Sequence, residues 1–466
     1  MELRVQDKEV ILQDLWKEKA VLGTMLKAIS GKQVEVLYAG GLNFDSGPDF
    51  KDAVLKIEGQ LVRGDVEAHL YTKGWRDHLH HKNSKYNNVV LHLISETSKE
   101  LYVEREDGVS IEQVIIPISD ENIQKYKTVS QKQMKFPENE IVQSCPLAKQ
   151  SEDKIFAVIN AAGDCRFRDK TDQIEENMKV VGFEQILYQM LLKSLGYSKN
   201  QRPFEKLAQL VQYDMIAAEM QWVNEAVAEQ RCSALLFGAA GLLPVTREKQ
   251  QRLSLEAIRY VTPMLDLWEG MSKRLKVKPM QPEAWQFFRL RPNNFPTRRI
   301  AALVQILMKV FKLGLVEYFH KLLQTRPQNL RKLSTELERG LLMDVPVFWQ
   351  SHYSFEDSIV NMDAESKLIL GKNRARDMVV NVLLPFFYCY SASTGDGILN
   401  SVTNELYRQY PKLPENHITR GMTRQLSQKG NWGKPKLNAI QQQGLLHLNR
   451  LYCRTLRCEE CQALGV

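Results

Sequence analysis

The sequence lacks a long hydrophobic run and has few cysteines, and both shortages limit what the protein can be. The longest apolar stretch, residues 378–390, is shorter than the roughly 20 residues that a membrane-spanning helix needs. The charged N-terminus has no apolar segment of the signal-peptide kind. Seven cysteines in 466 residues are too few for a disulfide framework, and their odd number is typical of reduced thiols. We therefore expect a cytoplasmic protein with no membrane contact.

Repeats and low-complexity tracts are also missing, and the composition is that of an ordinary globular protein. The charge is less ordinary, because the chain carries a formal net charge of +8. Residues 366–466 contain fourteen Lys/Arg and six Asp/Glu, so the net charge of this segment equals the net charge of the whole chain, +8. A basic segment attracts polyanions such as nucleic acids. A solvated basic surface that serves solubility has the same composition.

The hydrophobic period changes near residue 150 and predicts two domains. Before this point, apolar residues at helical spacing predict an opening helix at 10–29, which a break near Gly23 could interrupt. Runs typical of strands then follow at 34–38, 53–57, 61–70, 89–94, 101–103 and 114–118. The turn at residues 58–60 predicts a hairpin. After residue 151 the period is helical throughout. The prediction is an α+β protein, with an α/β domain built on a mixed sheet (residues 1–148) and a large all-α domain (residues 149–466).

The residues that suggest chemistry lie in the first domain. Five of the nine histidines fall between residues 69 and 92. Residues i and i+2 of a strand share a face, so Glu67 and His69 point together, and the hairpin brings them level with Asp49. Two converging carboxylates bind a hard cation such as Mg²⁺ or Mn²⁺, which can activate a water molecule. We therefore predict Asp49 and Glu67 as metal ligands, and Asp49, Glu67 and His69 as catalytic residues.

This arrangement resembles the PD-(D/E)XK nuclease superfamily, in which an Asp begins one strand and a Glu-x-Lys lies on the next, after an opening helix. The matching residues are Pro48-Asp49 and Glu67-Ala68-His69. The resemblance implies a restriction-endonuclease-like fold for residues 1–148 and metal-dependent hydrolysis of phosphodiesters. His69 stands where the superfamily usually has Lys. An imidazole can act as a base or as a metal ligand, and it can also mark a homologue that has lost catalysis.

A second resemblance covers nearly the whole chain. The sequence is similar to the bacterial family known as domain of unknown function 2851. The matching stretches are residues 47–50, 64–69, 75–80, 86–92, 235–243, 289–296, 349–353 and the cysteine-containing tail at 452–461. This resemblance implies that the Glu-x-His form is a feature of the family, and it leaves the activity open.

Further residues are candidates for supporting roles at the predicted site: Glu9, Glu35, His78, His80, Tyr86 and His92. The nuclease superfamily often supplies an extra acidic residue from its first helix, and Glu9 and Glu35 are the candidates for it. His78 and His80 lie in a polar segment that could reach over a metal site or hold a phosphate. His92 lies in an apolar strand, where a hydrogen-bonded core histidine is an equal alternative.

Four arginines near three phenylalanines form a second candidate region, for nucleic-acid binding: Arg289, Arg291, Arg298 and Arg299. Arginines that grip phosphates, next to aromatic rings that stack on bases, are typical of such surfaces. The alternative is that the aromatic rings are core residues and the arginines pair with helix ends or carboxylates.

Three thiols lie close together near the C-terminus, in the spacing Cys453-x4-Cys458-x2-Cys461. They are candidate ligands of a structural Zn²⁺, with a histidine such as His447 as the fourth ligand. The alternative is a set of reduced thiols on a short helix. A redox pair is less favoured because no βαβ pattern surrounds the motif, and an iron–sulfur cluster needs one more ligand.

These patterns together predict a metal-dependent nuclease that cleaves DNA or RNA at Asp49, Glu67 and His69, with nucleic acid held by the helical domain and its basic tail. The alternative is a catalytically inactive nucleic-acid-binding or scaffold protein on a degenerate nuclease fold. A third hypothesis is a zinc-dependent hydrolase of small substrates, built on the histidines.

Overall fold

A computed structural model of the chain describes residues 8–9, 11–16, 25–43, 47–98, 102–121, 145–197, 199–288, 290–324, 329–357, 367–427, 435–453 and 457–464. The chain divides into two compact units. Unit 1 consists of residues 1–162, 415–435 and 444–466, and unit 2 of residues 163–414 and 436–443. The sequence-based division at residues 148 and 149 assigns the two C-terminal segments of unit 1 to the helical domain instead.

Unit 1 contains a mixed, curled sheet, which confirms the predicted α+β class together with the helical region that follows it. The strands are β1 (Met25–Lys27), β2 (Gln33–Tyr38), β3 (Gly41–Leu42), β4 (Phe50–Ile57), β5 (Gln60–Tyr71), β6 (Val89–Glu96), β7 (Val103–Glu104) and β8 (Ser110–Ile115). Seven of them follow the order β1-β2-β4-β5-β6-β8-β7, and the short β3 pairs with β4. The pairs β5–β6 and β6–β8 are parallel, and the other pairs are antiparallel.

The hairpin between β4 and β5 confirms the turn predicted at residues 58–60. Glu58 and Gly59 both have positive φ, at 50° and 78°. Two such residues in succession match the right-handed twist of the flanking strands. The tight turn sets the register, in which Phe50 pairs with Val66 and Ile57 with Gln60.

One face of the sheet is covered by the opening helix, whose described parts are residues 8–9 and 11–16. Trp16 is fully buried there and donates a hydrogen bond from Nε1 to the carbonyl of Ala39, at 3.0 Å. The predicted extension of this helix to residue 29 is wrong, because Met25–Lys27 is strand β1. Pairing with β2, and a bridge from Ala28 to Val114, override the helical spacing of the apolar residues.

The remainder of the described chain is largely helical. Its α-helices are Gly74–Asp77, Glu152–Met178, Phe183–Leu195, Gln201–Leu210, Tyr213–Met220, Glu225–Ala239, Arg247–Gln251, Leu255–Leu275, Pro296–Val310, Leu315–Gln324, Leu330–Leu341, Val347–Gln350, Lys372–Met378, Leu384–Thr394, Gly397–Gln409, His417–Ser427, Ala439–Leu451 and Cys458–Ala463, with a π-helical turn at Val379–Leu383. None of the helices in the described ranges is both long and apolar enough to pass through a membrane.

Candidate metal centre

The polar face of β5 is the floor of the candidate site. Val66 and Ala68 pack into the core of unit 1, so the alternating Glu67 and His69 project from the opposite face. Both are buried, with Glu67 5% and His69 3% exposed. The parallel register places His92 of β6 directly beside Glu67. A carboxylate and two imidazoles therefore share one buried patch of the sheet.

Asp49 meets Glu67 across the hairpin, as the strand pattern predicts. The backbone N–H of Asp49 donates to Glu67 Oε2 at 2.9 Å, and the N–H of Ala68 donates to Asp49 Oδ2 at 3.0 Å. Burial, and then the charge of Glu67, raise the pKa of Asp49 to about 7. Burial raises the pKa of Glu67 to about 8. Both carboxyl groups therefore bind protons more readily than in water, and a bound cation would compensate their charge.

The chain after β5 turns back over this patch and supplies two more histidines. It forms the helix Gly74–Asp77 and two 3₁₀ helices, His80–Lys82 and Ser84–Tyr86. The buried rings of Trp75 and Tyr86 anchor the two ends of this segment. His78 Nδ1 then lies 3.0 Å from His69 Nε2. One ligand nitrogen from each of His69, His78 and His80 falls within a group whose members are all within 4.8 Å of one another.

A hydrogen-bond relay orients the His69 ring. His92 Nδ1 lies 3.2 Å from Gln113 Oε1, and His92 Nε2 lies 2.9 Å from His69 Nδ1. Since an amide oxygen can only accept, the network assigns the proton to Nδ1 of His92 and then to Nδ1 of His69. His69 Nε2 is thereby left with a lone pair that faces the site. Buried partners behind a metal-binding histidine set its tautomer in this way.

The histidines of the patch are held neutral. Burial, followed by the neighbouring His92, His80 and His78 rings, lowers the pKa of His69 to about 2. Burial lowers the pKa of His92 to about 3 and that of His80 to about 4. Neutral imidazoles offer a free nitrogen lone pair at physiological pH, which is the form that binds metals.

His80 is the clearest sign of an open coordination position. The residue is 6% exposed, and neither ring nitrogen makes a hydrogen bond of good geometry. The ring stacks on Tyr86 with centroids 3.7 Å apart, and Nε2 lies 3.1 Å from Glu67 Oε1. A buried polar atom without a partner is costly. A cation between His80 and Glu67 would satisfy both groups, so the residues present fit a bound metal.

Of the two acidic candidates, Glu9 lies at the site and Glu35 does not. Glu9 accepts a hydrogen bond from the backbone of Leu70 and interacts electrostatically with His78, and its charge helps to raise the pKa of Asp49 and Glu67. Glu35 on β2 instead pairs with Lys56, with Nζ and Oε2 3.6 Å apart. The opening helix, and not the first strands, contributes the additional carboxylate.

Two charged residues near the site, Lys51 and Asp65, are not among the predicted site residues; the sequence pattern favours a strand-end role for Asp65. Lys51 Nζ lies 2.7 Å from Asp65 Oδ2, and its charge lowers the pKa of Glu67. Asp65 also accepts from the backbone N–H of Asp52 at 3.1 Å, where φ is positive and the strand register shifts. The available signal was spacing, since Lys51 follows Asp49 by two residues and Asp65 precedes Glu67 by two. An ammonium group thus stands beside the carboxylates, on the strand next to the Glu-x-His.

The arginines predicted to bind nucleic acid lie in unit 2, and two of them are buried. Arg298 is 1% exposed and donates to the carbonyls of Trp349 and His352. Arg299 is 3% exposed and donates to the carbonyl of Ile369. Arg291 is exposed, and Arg289 lies outside the described residues. The guanidinium groups of Arg298 and Arg299 are therefore used inside unit 2, where a nucleic-acid phosphate does not reach.

The C-terminal cysteines lie in unit 1 with free thiols. Cys461 is buried, and Cys453 and Cys458 are partly exposed. His447, the histidine suggested as a fourth ligand, is buried on the helix Ala439–Leu451, with its ring centroid 6.2 Å from that of Tyr452.

The chain belongs to the family described as "Protein of unknown function (DUF2851)", whose model matches residues 9–417. The match contains the whole of the candidate metal centre, from Glu9 to Gln113. No curated protein and no solved structure matches the chain.

Proposed function

We propose that this family member is a metal-dependent phosphodiesterase that cleaves nucleic acid at the site formed by Asp49, Glu67, His69 and His80. The observation that carries the proposal is the convergence of the buried Glu67, the partly buried Asp49 and three imidazole nitrogens over one face of the sheet. The order of elements supports it. The opening helix and strands β1 to β3 precede β4, which begins directly after Asp49. From β4 onward, the Glu67-x-His69 strand, a short helix and a parallel strand follow in the order implied by the resemblance to PD-(D/E)XK nucleases.

The donor set favours Mn²⁺ over Mg²⁺. Carboxylates alone suit Mg²⁺, whereas imidazoles suit transition-metal cations. Glu67 and His80 would hold the ion between them, and His69 Nε2, 3.5 Å from Glu67 Oε1, would complete the set. A bound cation of this kind lowers the pKa of a water ligand and stabilises negative charge on phosphate oxygens.

The other residues of the site orient the His69 ring, border the site or supply positive charge. His92 and Gln113 hold the His69 ring with its Nε2 lone pair toward the site. His78, which is exposed, stands at the rim, and its ligand nitrogen belongs to the same group as those of His69 and His80. Lys51 supplies positive charge near Glu67, in the region where a scissile phosphate would develop negative charge.

The surroundings of the site favour a polyanionic substrate. The segment that carries His78 and His80 also carries four exposed basic residues: Lys73, Arg76, Lys82 and Lys85. The whole chain has a net charge of +8. Positive charge around a cleft raises the local concentration of an anionic substrate, and this steering weakens as salt increases. A nucleic acid fits this rim better than a neutral or cationic substrate.

The test is cleavage of single- and double-stranded DNA and RNA by the full chain, with Mn²⁺, Mg²⁺ or EDTA. We expect divalent-dependent products, fastest with Mn²⁺, that are lost in Glu67→Ala and Asp49→Ala. Glu35→Ala is the matched control, since it removes a strand carboxylate of the same unit that lies away from the site, and it should cleave as wild type does.

Two results would overturn the proposal. Salt-sensitive nucleic-acid binding without cleavage under any metal would show an inactive binding protein, the reading that the His69 departure favours. Hydrolysis of a small phosphodiester such as bis(4-nitrophenyl) phosphate, with polynucleotides left intact, would show a hydrolase of small substrates.

A further inference from the structure

Unit 1 brings a fourth cysteine to the three at the C-terminus. Cys145 immediately precedes the 3₁₀ helix Pro146–Lys149, and Cys453 follows the helix Ala439–Leu451. Cys458 and Cys461 belong to the helix Cys458–Ala463. In sequence, Cys145 is about 300 residues from the others. Sequence spacing therefore gave no reason to group it with them.

Packing within unit 1 closes this distance. The helix Cys458–Ala463 packs against the 3₁₀ helix that Cys145 precedes. Gln150 Nε2 donates to Gln462 Oε1 across the same contact, at 3.4 Å. Every pair among the four thiols is close enough to interact electrostatically. The contact between these two segments therefore brings the four thiols into one part of unit 1.

The local backbone directs the C-terminal thiols to a common point. Cys458 and Cys461 are three residues apart on a helix and so share a face. The N–H of Arg457 donates to the carbonyl of Tyr452 at 2.9 Å, which folds Cys453 back toward that helix. Cys461 is 7% exposed, and the other three thiols are partly exposed.

Other uses of four thiols fit less well. All of them are free, so the cluster is not a disulfide pair. Cys461 is buried, and no βαβ pattern surrounds the C-terminal thiols, so redox chemistry is disfavoured.

We propose that Cys145, Cys453, Cys458 and Cys461 ligate a metal centre with four thiolate ligands, either a single Zn²⁺ or an iron–sulfur cluster. Four thiolates are the donor set that these two centres share, and hard cations such as Mg²⁺ do not accept it. The centre lies apart from the histidine site, which offers nitrogen and oxygen donors, and it would fasten the C-terminal segment to residue 145 within unit 1. It does not depend on the proposed nuclease activity.

The first measurement is the zinc, iron and acid-labile sulfide content of the purified full-length protein. About one zinc per chain would identify a single-ion site, and iron with matching sulfide would identify a cluster. We expect Cys145→Ser to lose this metal. Cys165→Ser, which removes a partly exposed free thiol of unit 2, is the matched control and should retain it. His80→Ala should also retain it, which separates this centre from the histidine site.

A second measurement needs no variant and so does not depend on the folding of Cys145→Ser. Titration of the wild-type protein with an organomercurial should release the metal in step with the blocking of four slowly reacting thiols. Substitution of Co²⁺ for zinc should give an intense thiolate-to-cobalt charge-transfer band. The proposal is overturned if the wild type contains no stoichiometric metal, or if folded Cys145→Ser retains the full amount.

Discussion

Gly74 should control the geometry of the metal centre although it has no side chain. It is the first residue of the helix Gly74–Asp77, which lies against the ring of His69. A Cβ atom at this position would lie 2.8 Å from His69 Cγ and 2.9 Å from His69 Cβ and Cδ2. In Gly74→Ala, either the His69 ring or the helix must therefore move.

The required movement is large on the scale of metal coordination. Carbon atoms prefer separations of roughly 3.5–4.0 Å, so the shift is on the order of 0.7 Å. Metal–ligand distances tolerate only about 0.2 Å. If the helix moves in place of the ring, His78 moves with the segment, so the 3.0 Å approach of His69 and His78 is disturbed in either case. We expect metal affinity to fall by about 10–100-fold, as for other changes just behind a ligand.

The affinity should be measured by calorimetric titration of Mn²⁺ or Zn²⁺ into the folded variant, with thermal unfolding in parallel. Overpacking should lower the free energy of unfolding by roughly 1–3 kcal/mol. Gly270→Ala is the control, because a Cβ there meets nothing within 4 Å. It should bind the metal as wild type does.

Wild-type affinity in folded Gly74→Ala would refute the reasoning. It would mean that the positions of His69 and His78 do not determine binding, and the histidine cluster would then not be the metal centre. Loss of affinity in both glycine variants would point to a general loss of stability.

Two further predictions concern unit 2. Glu184 accepts hydrogen bonds from the backbone N–H groups of Leu315 (2.9 Å) and Val316 (3.1 Å) at the start of a helix. Glu184→Ala should therefore lower the free energy of unfolding by about 0.5–2 kcal/mol, measured by urea unfolding. An unchanged midpoint would contradict this capping role. Gly241 has φ +69°, and a Cβ there would lie 1.9 Å from the Met280 carbonyl oxygen. Gly241→Ala should therefore lower the free energy of unfolding by more than about 1 kcal/mol. A variant as stable as wild type in the same assay would disprove the close approach.

Local periodicity was enough to predict most of the sheet and the helices. The β4–β5 hairpin follows from alternating apolar residues on each side of a Glu-Gly turn. The prediction at Met25–Lys27 was wrong because these residues, which continue the helical spacing of the preceding segment, pair with β2 as a strand. Strand pairing is a contact with another part of the chain, and no local pattern specifies it.

At the candidate site, too, some contacts could be predicted from local sequence and others could not. Asp49, Glu67 and His69 could be grouped from the sequence, because a hairpin has a fixed register and a strand has a period of two. The segment that carries His80 lies over Glu67 because Trp75 and Tyr86 pack beneath it. Gln113 reaches His92 only through the parallel pairing of β6 with β8. Both contacts depend on the assembled sheet, so local sequence could not predict them.

The sequence alone determined the α+β class, the Asp49–Glu67–His69 face and the three thiols of the tail, because each depends on residues that are neighbours along a strand, a hairpin or a short turn. The tertiary structure decided which groups complete each cluster. Arg298 and Arg299 are buried and so are not available to bind nucleic acid. The packing of two chain segments about 300 residues apart places Cys145 near Cys461. Proximity across such distances comes from the burial of apolar surface over the whole unit, and no local spacing records it.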